Sequence, residues 1–365
     1  MMTMMEKRKP YLVVILIQLI YTGMFLLSKA AMDVGMNSFI FVFYRQAIAT
    51  LFLIPITLFL EWKNAPPLSF QVGFKIFMLS FIGITMSLNL YSVAVVYTSA
   101  SLGAATANSL PAITFFLALL MRMEVVKVKK LSGIAKVFGI AICMGGVALL
   151  AFYTGPFIES HYHLFKNHFH GANTSHSSSS SNSQTWVKGC FLMILSNSCW
   201  GLWIVLQGGV VKCYPSKLLL TTLQCFFSSI VSFVIAISME RDLQKWKLGW
   251  NIELISVAYC GIMVTGVTYY LQAWVIEKKG PVFLAMSTPL TLVFTIFSSY
   301  FLLGEIISLG RVLGGILLVV GLYSVLWGKN REEKEIILQE KVCSEPIDIE
   351  AMEIPKEEKN NKIPE

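Results

Sequence analysis

Charge is scarce in this chain. Only 14% of its 365 residues are Asp, Glu, Lys or Arg, while 55% are hydrophobic. A soluble domain of that length carries far more charge on its surface. Asp33, Glu61, Glu124, Glu159, Glu240, Glu253, Glu277 and Glu305 stand at the ends of hydrophobic runs or between them, and no acidic residue and no His lies in the middle of one. No Walker loop is present, so nucleotide-driven work is unsupported. No nucleophile–base pair or metal-ligand constellation is visible, so no catalytic residue, metal or cofactor is expected. The seven Cys include Cys143, Cys190, Cys199, Cys225 and Cys260 inside runs. They read as small apolar residues rather than as a disulfide framework.

What the chain does have is long apolar runs, ten of them. They begin near Tyr11, Ser38, Ile76, Ser101 and Ile134, and again near Gly189, Leu218, Leu254, Pro281 and Val312. Most are long enough for a helix to cross a hydrocarbon core of about 30 Å. Lipid requires every backbone polar group to be satisfied internally, which makes these runs helices. They are apolar throughout and not alternating, which excludes a barrel. The second set of starts repeats the spacing of the first, displaced by a nearly constant offset. Gly23/Gly201, Gln46/Gln224 and Pro111/Pro289 share the offset of 178, and Gly139/Gly314 and Gly146/Gly321 pair at 175. Five is odd, so the second set enters the membrane from the opposite side. The expected fold class is an all-α integral membrane protein of ten transmembrane helices, arranged as two inverted five-helix repeats. The expected divisions are an N-terminal segment 1–10, a first repeat 11–153, a linker 154–186, a second repeat 187–328 and a tail 329–365.

The net charge of +8 is distributed by side. With the N-terminus in the cytoplasm, 17 Lys and Arg fall on the cytoplasmic side of the spans and 6 on the other. That is the positive-inside bias, and it argues against a nucleic-acid partner. Ten spans then leave both termini cytoplasmic. No cleavable signal is expected ahead of the first span, which reads as a retained anchor. The linker holds all five His, at 161, 163, 168, 170 and 176, with a Ser-rich tract and the sequon Asn173-Thr174-Ser175. Its His-x-His pairs are of a type that holds zinc or copper, but it reads first as a disordered hydrophilic linker. The tail carries 11 of the 21 acidic residues and Pro346, Pro355 and Pro364; it reads as disordered and solvated. Trp62, Trp186, Trp246, Trp250 and Trp327 stand at span ends as an interfacial belt.

Polar residues inside spans are costly and face the protein interior. Lys29 and Arg45 are the basic ones. Either can attract a carboxylate, Arg45 with a bidentate fork. For Lys29, snorkelling to the outer surface beside Asp33 is the preferred reading; for Arg45, substrate contact and structural pairing stay open. Asn108 with Pro111, and Thr288 with Pro289, lie near mid-span. A mid-helix Pro frees a carbonyl of the preceding turn, so each forms either a polar contact point or a packing kink. Asn89 and Gln272 are further hydrogen-bonding candidates. Trp200, Trp203 and Tyr270 are candidate wall residues. The absence of intramembrane acids and His favours a facilitator over a proton-coupled carrier.

The stretches GMNSFIFVFYRQAIATLFLIP (35–55), TSASLGAATANSLPAITFFLALLMRME (98–124) and GPVFLAMSTPLTLVFTIFSSYFLLGEIISLGRVLGGILLVVGLYSVLWGK (280–329) resemble the plant EamA-type members of the drug/metabolite transporter superfamily. These are the nodulin-like, Walls-Are-Thin-related or UmamiT proteins. The resemblance covers about residues 10–330. It implies ten helices in two EamA repeats around a central cavity, and bidirectional movement, mostly export, of amino acids; some relatives move auxin or other small organic compounds. It implies the plasma membrane or the vacuolar membrane. Lys29, Tyr44, Arg45, Asn108, Pro111 and Pro289 match family positions, whereas Gln46 and Thr288 depart from the common His and Asn. The expected partners are a small-molecule solute and the bilayer, with a homodimer left open. A membrane sensor or scaffold using the His-rich loop is the reading from another class.

An outward-facing linker makes one prediction. Enzymatic removal of N-glycans should increase gel mobility of the wild type, and Asn173→Gln should abolish that shift. Equal mobility of treated and untreated wild type would contradict a linker in a glycosylating lumen.

Overall fold

The computed structural model describes residues 2–61, 68–97, 108–123, 130–153, 183–214, 216–298 and 309–344. The sequon and the His-rich linker as far as residue 182 lie outside them. The helices are α1 (Met2–Asp33), α2 (Ser38–Leu60), α3 (70–97), α4 (Leu110–Leu120), α5 (Leu131–Phe152), α6 (Ser183–Cys213), α7 (Lys217–Met239), α8 (252–279), α9 (Pro281–Met286), α10 (Pro289–Ser298) and α11 (Leu309–Ser344). Eight stretches are long and apolar enough to cross a membrane: Arg8–Asp33, Ser38–Leu60, Phe70–Ala94, Val187–Cys213, Lys217–Met239, Ile252–Lys279, Pro281–Ser298 and Val312–Glu332. Leu110–Leu120 and the α5 helix are shorter as apolar stretches. Ten runs were expected; the described residues carry eight of full length and these two.

Local sequence explains several helix ends. Asn37 caps α2, its side chain accepting from the Phe39 N–H, and Asn251 does the same for α8 through the Glu253 N–H. Gly280, at φ 85, turns the chain between α8 and α9. There an L side chain would be strained.

Helices pack in related pairs: α1 against α8 and α3 against α6; α1 against α10 and α6 against α4; α2 against α7; α5 against α11. The last pair is the tightest. A Cβ added at Gly139 would stand 2.7 Å from the Gly321 carbonyl oxygen, and one at Gly321 would stand 2.6 Å from the Gly139 carbonyl oxygen. A Cβ at Gly146 would stand 3.1 Å from the Gly314 carbonyl. Ascending numbers on α5 meet descending numbers on α11, so the two helices run antiparallel. Only glycine permits this approach of backbones. Elsewhere serine and threonine join the helices. Ser87 Oγ donates to the Ser196 carbonyl at 3.0 Å and Ser196 Oγ donates back to the Ser87 carbonyl at 2.8 Å. The Thr57 and Thr222 hydroxyls lie 2.6 Å apart, joining α2 to α7.

Two helices widen into π turns, α3 at Ser80–Met86 and α8 at Cys260–Thr268. They begin at corresponding places in the two sets of runs. A widened turn leaves backbone carbonyls poorly served, and side chains repair them. Asn89 Nδ2 donates to the Thr85 carbonyl at 2.7 Å, and Thr268 Oγ1 donates to the Met263 carbonyl at 3.0 Å.

The described part of the tail, residues 329–344, differs from its expectation, and residues 345–365 lie outside the described residues. Rather than being disordered from residue 329, the chain continues α11 without a break to Ser344. Ion pairs account for the first turns beyond the apolar stretch: Lys136 with Glu332, Lys130 with Glu335 at 2.9 Å, and Arg331 with Glu335 at 3.6 Å. Lys136 is buried against α11.

Gly321→Val should lower the thermal stability of the detergent-purified protein by about 2 kcal/mol or more, the usual cost of overpacking. Gly145→Ala, whose added Cβ meets nothing within 4 Å, should leave it unchanged. Equal melting temperatures for both variants would contradict backbone contact at the α5–α11 seam.

Candidate functional site

The buried polar residues converge where α1, α2, α6, α7 and α8 meet. Arg45 of α2 is 5% exposed. Its Nε donates to Thr265 Oγ1 at 2.7 Å, its Nη2 to the Tyr269 hydroxyl at 3.2 Å, and its Nη1 approaches Met24 Sδ at 3.8 Å. Thr265 lies within the π turn of α8, and Tyr269 directly follows it. Among the described residues no carboxylate pairs with Arg45. The sequence allows for this, since no acid occurs mid-run. A buried guanidinium hydrogen-bonded only to neutral groups retains its attraction for an anion.

Aromatic rings stand against this centre. Trp200 and Trp203 stack with centroids 4.9 Å apart, and Tyr269 lies 5.3 Å from Trp203 and 5.9 Å from Trp200. Gly83, inside the π turn of α3, makes room for Trp203: a Cβ there would stand 2.4 Å from the Trp203 Cβ. Behind the rings runs an amide chain. Trp203 Nε1 donates to Gln224 Oε1 at 3.2 Å, and Gln224 Nε2 donates to Gln207 Oε1 at 2.8 Å. Gln46, the counterpart of Gln224 in the first set of runs, is fully buried beside Tyr269, and neither of its amide atoms has a hydrogen-bond partner of good geometry among the described residues.

The residues singled out in the sequence fall into distinct places. Arg45, Trp200 and Trp203 are in this centre. Gln272 lies nearby; its Nε2 donates to the Tyr21 hydroxyl at 3.0 Å and its Oε1 is without a partner among the described residues. Tyr270 is half-buried at the edge of the same cluster, and its neighbour Tyr269 meets the guanidinium. Asn89 is buried but engaged with the Thr85 carbonyl of its own helix. Lys29 is exposed on α1. Asn108 and Pro111 are buried at the start of α4, and Thr288 is half-buried beside the buried Pro289. Asn173 lies outside the described residues.

The two prolines open helices in the same manner. Ser109 before α4 has φ −78 and ψ −11, and Ser287 before Thr288 has φ −79 and ψ −14; each serine stands two positions ahead of its proline. The carbonyl expected to be freed by Pro289 is not idle. The Ala285 carbonyl accepts from the Thr288 N–H at 3.1 Å, and the Leu284 carbonyl accepts from the Ser287 N–H at 3.1 Å, so the chain tightens instead of opening. Gln18 of α1 reads this break: its Nε2 donates to Ser287 Oγ at 2.6 Å, and its Oε1 accepts from the Thr291 hydroxyl.

Thr265, Tyr269, Tyr21 and Gln18 were not singled out as site residues. The offset that pairs Gln46 with Gln224 was the available signal for Gln46. Gln18, Thr265 and Tyr269 stand among the polar residues inside runs, but nothing set Tyr269 above Tyr270, because a π turn shifts the helical phase without leaving a mark in the hydrophobic pattern.

Comparison with known proteins gives a consistent result. The sequence signature of the EamA-like transporter family matches residues 8–152 and 187–327. A WAT1-related protein of Arabidopsis thaliana is 61% identical over 334 residues, covering 90% of this chain and 92% of its own. A second WAT1-related protein of that plant is 48% identical over 331 residues, covering 91% and 94%. The Arabidopsis protein named WALLS ARE THIN 1 is 36% identical over 340 residues, covering 92% and 86%. A protein crystal structure only 14% identical superposes with a TM-score of 0.62 over 89% of this chain and 99% of that one; at that identity it speaks for the fold alone.

Arg45→Met separates the two readings of the guanidinium. Removing a buried charge that lacks an ionic partner should leave thermal stability within about 1 kcal/mol of wild type or raise it. A loss of about 3 kcal/mol or more, measured by thermal unfolding in detergent, would make Arg45 a structural bridge.

Proposed function

Because this chain belongs to the EamA-like transporter family and is a multi-pass membrane transporter by that membership, we propose that it is a facilitator of amino acids working by alternating access. It carries solute down its gradient in either direction, chiefly outward, across the plasma membrane or the vacuolar membrane. Ten spans form two inverted five-helix repeats, with both termini in the cytoplasm. The matched family segments, the antiparallel glycine seam, the π turns at corresponding places and the paired Ser–x–Pro helix starts all support the repeat reading.

The observation that carries the solute assignment is Arg45, a buried guanidinium without a carboxylate among the described residues. In the proposed cycle the solute carboxylate supplies the missing anion. The unpartnered amide atoms of Gln46 and Gln272 supply hydrogen bonds to its polar backbone groups. Asn89, Asn108, Thr288 and the Pro111 and Pro289 breaks remain candidate contacts on the opposite wall, and Lys29 remains a candidate for attracting anions at the outer half. The stacked Trp200 and Trp203 beside Tyr269 favour a second reading within the same fold, in which the solute is an indolic or other aromatic acid that stacks on the rings.

Flux of radiolabelled amino acids and of indole-acetate into proteoliposomes tests both. Arg45→Met should reduce flux of either solute by about two orders of magnitude, the loss of a charge-assisted contact of roughly 3 kcal/mol. Trp200→Ala should spare amino-acid flux and depress indole-acetate flux if the second reading holds. No flux of either solute by the wild type would overturn the assignment, and acceleration by an inward acid gradient would overturn the uncoupled mechanism.

A further inference from the structure

The tyrosines around α8 place their hydroxyl protons differently. Tyr259 donates to the Ile20 carbonyl at 3.1 Å, and Tyr44 donates to the Trp246 carbonyl at 2.7 Å; each ties one segment to another. Tyr269 is arranged the other way round. Arg45 Nη2 donates to its oxygen at 3.2 Å, and a guanidinium has no acceptor to offer in return. Tyr269 is 0% exposed, so bulk water does not reach its proton. Gln46 lies beside the hydroxyl, yet neither of its amide atoms makes a hydrogen bond of good geometry among the described residues. The Tyr269 proton thus has no well-placed acceptor there, and a buried donor in that condition is costly.

The hydroxyl is nevertheless held firmly. Behind it the ring packs 5.3 Å from Trp203, and Trp203 is fixed in turn by Gln224. Gly261 brings the π turn of α8 against α2: a Cβ there would stand 3.0 Å from the Arg45 carbonyl oxygen. That approach carries Thr265 and Tyr269 to the guanidinium. On its other side Arg45 Nη1 meets only Met24 Sδ at 3.8 Å, a weak acceptor. Tyr21 stands one turn before Met24 on the same face of α1. Its hydroxyl accepts from Gln272 Nε2 at 3.0 Å, and no described residue takes its own proton. Two phenolic donors therefore belong to the surroundings of one buried cation.

We propose that Tyr269 is a solute-binding residue: its hydroxyl donates to one oxygen of the solute carboxylate while Arg45 donates to the other, and Tyr21 supplies a second hydroxyl to the same anion. The proposal rests on the carrier reading above and deepens it by naming the groups that recognise the carboxylate. A hydroxyl suits the task because it both accepts and donates. In the empty site the Tyr269 oxygen accepts from the guanidinium and partly satisfies it. When a carboxylate arrives, the hydroxyl turns its proton toward the anion, and no protein charge has to be displaced. A carboxylate at position 269 would satisfy Arg45 more fully and would compete with the solute. The same arrangement fixes the class of solute as one with a single carboxylate head, since one guanidinium and its two phenols are built around one anion.

Equilibrium binding to the full-length protein in detergent tests this without transport. Competition against radiolabelled phenylalanine gives the affinities of phenylalanine and of phenylalaninol, in which a hydroxymethyl group replaces the carboxylate. Competition against radiolabelled indole-acetate does the same for indole-acetate and indole-ethanol. The acid-to-alcohol ratio within a pair measures recognition of the carboxylate, whereas general loosening of the site weakens both members alike. In the wild type the acid of at least one pair should bind about a hundred-fold tighter. Tyr269→Phe, which keeps the ring, should shrink that ratio roughly ten-fold, and Tyr21→Phe roughly three-fold. Tyr259→Phe, whose proton already has a carbonyl, should leave it unchanged. If Tyr269→Phe does not fold, Tyr21→Phe decides by the same ratio. An unchanged ratio in the folded Tyr269→Phe protein would overturn the proposal and leave the carrier reading standing. A wild type that binds neither acid, or binds acid and alcohol alike, would instead overturn the carboxylate-solute reading itself, and the proposal with it.

Discussion

Helices in lipid gain nothing by hiding apolar side chains from one another, since the acyl chains are as apolar as leucine. Cohesion must come from close packing and from polar groups that find partners inside the protein. The structure follows from that constraint. Gly139, Gly146, Gly314 and Gly321 bring α5 and α11 into backbone contact, where dispersion is strongest per unit length. Ser87 and Ser196 exchange hydrogen bonds between α3 and α6, and Thr57 and Thr222 join α2 to α7. Each such link contributes on the order of 1 kcal/mol in a membrane. Their sum holds the scaffold, and no single link forbids motion between neighbouring helices.

Against that background the centre is an exception. A buried arginine is costly, and its partners here are a threonine, a tyrosine and a methionine. An arginine kept for stability alone would be expected beside a carboxylate. Two buried amides beside it have unmet capacity. Thr114 Oγ1, Gln207 Nε2 and Ser232 Oγ are likewise buried without a hydrogen-bond partner among the described residues, and what sets the centre apart is the charge it carries. The π turns belong to the same design. One of them brings Thr265 and Tyr269 to the guanidinium, and the other contributes the Gly83 surface on which Trp203 lies.

The sequence made the helical, membrane-spanning character legible through run length and the scarcity of charge. It made the two-part organisation legible through residues recurring at a fixed offset, and it pointed to Arg45, Trp200 and Trp203. It was silent on Tyr269 as against Tyr270, because one extra residue in a helical turn rotates everything after it and leaves the apolar pattern intact. It misjudged the beginning of the tail for a related reason. Composition marks residues 329–344 as polar, but the Lys136–Glu332 and Lys130–Glu335 pairs that stabilise them as helix join segments far apart in the chain.

Helix identity, apolar length and the recurrence at a fixed offset are properties of the chain read in one dimension. Local backbone hydrogen bonding and the thickness of a bilayer are enough to translate them, so the sequence by itself determined those features. Which polar side chains meet and which stay unpartnered depend on helix rotation and on contacts between distant segments. Those are set by steric fit at glycines and by the phase shift of the π turns, and only the tertiary structure decided them.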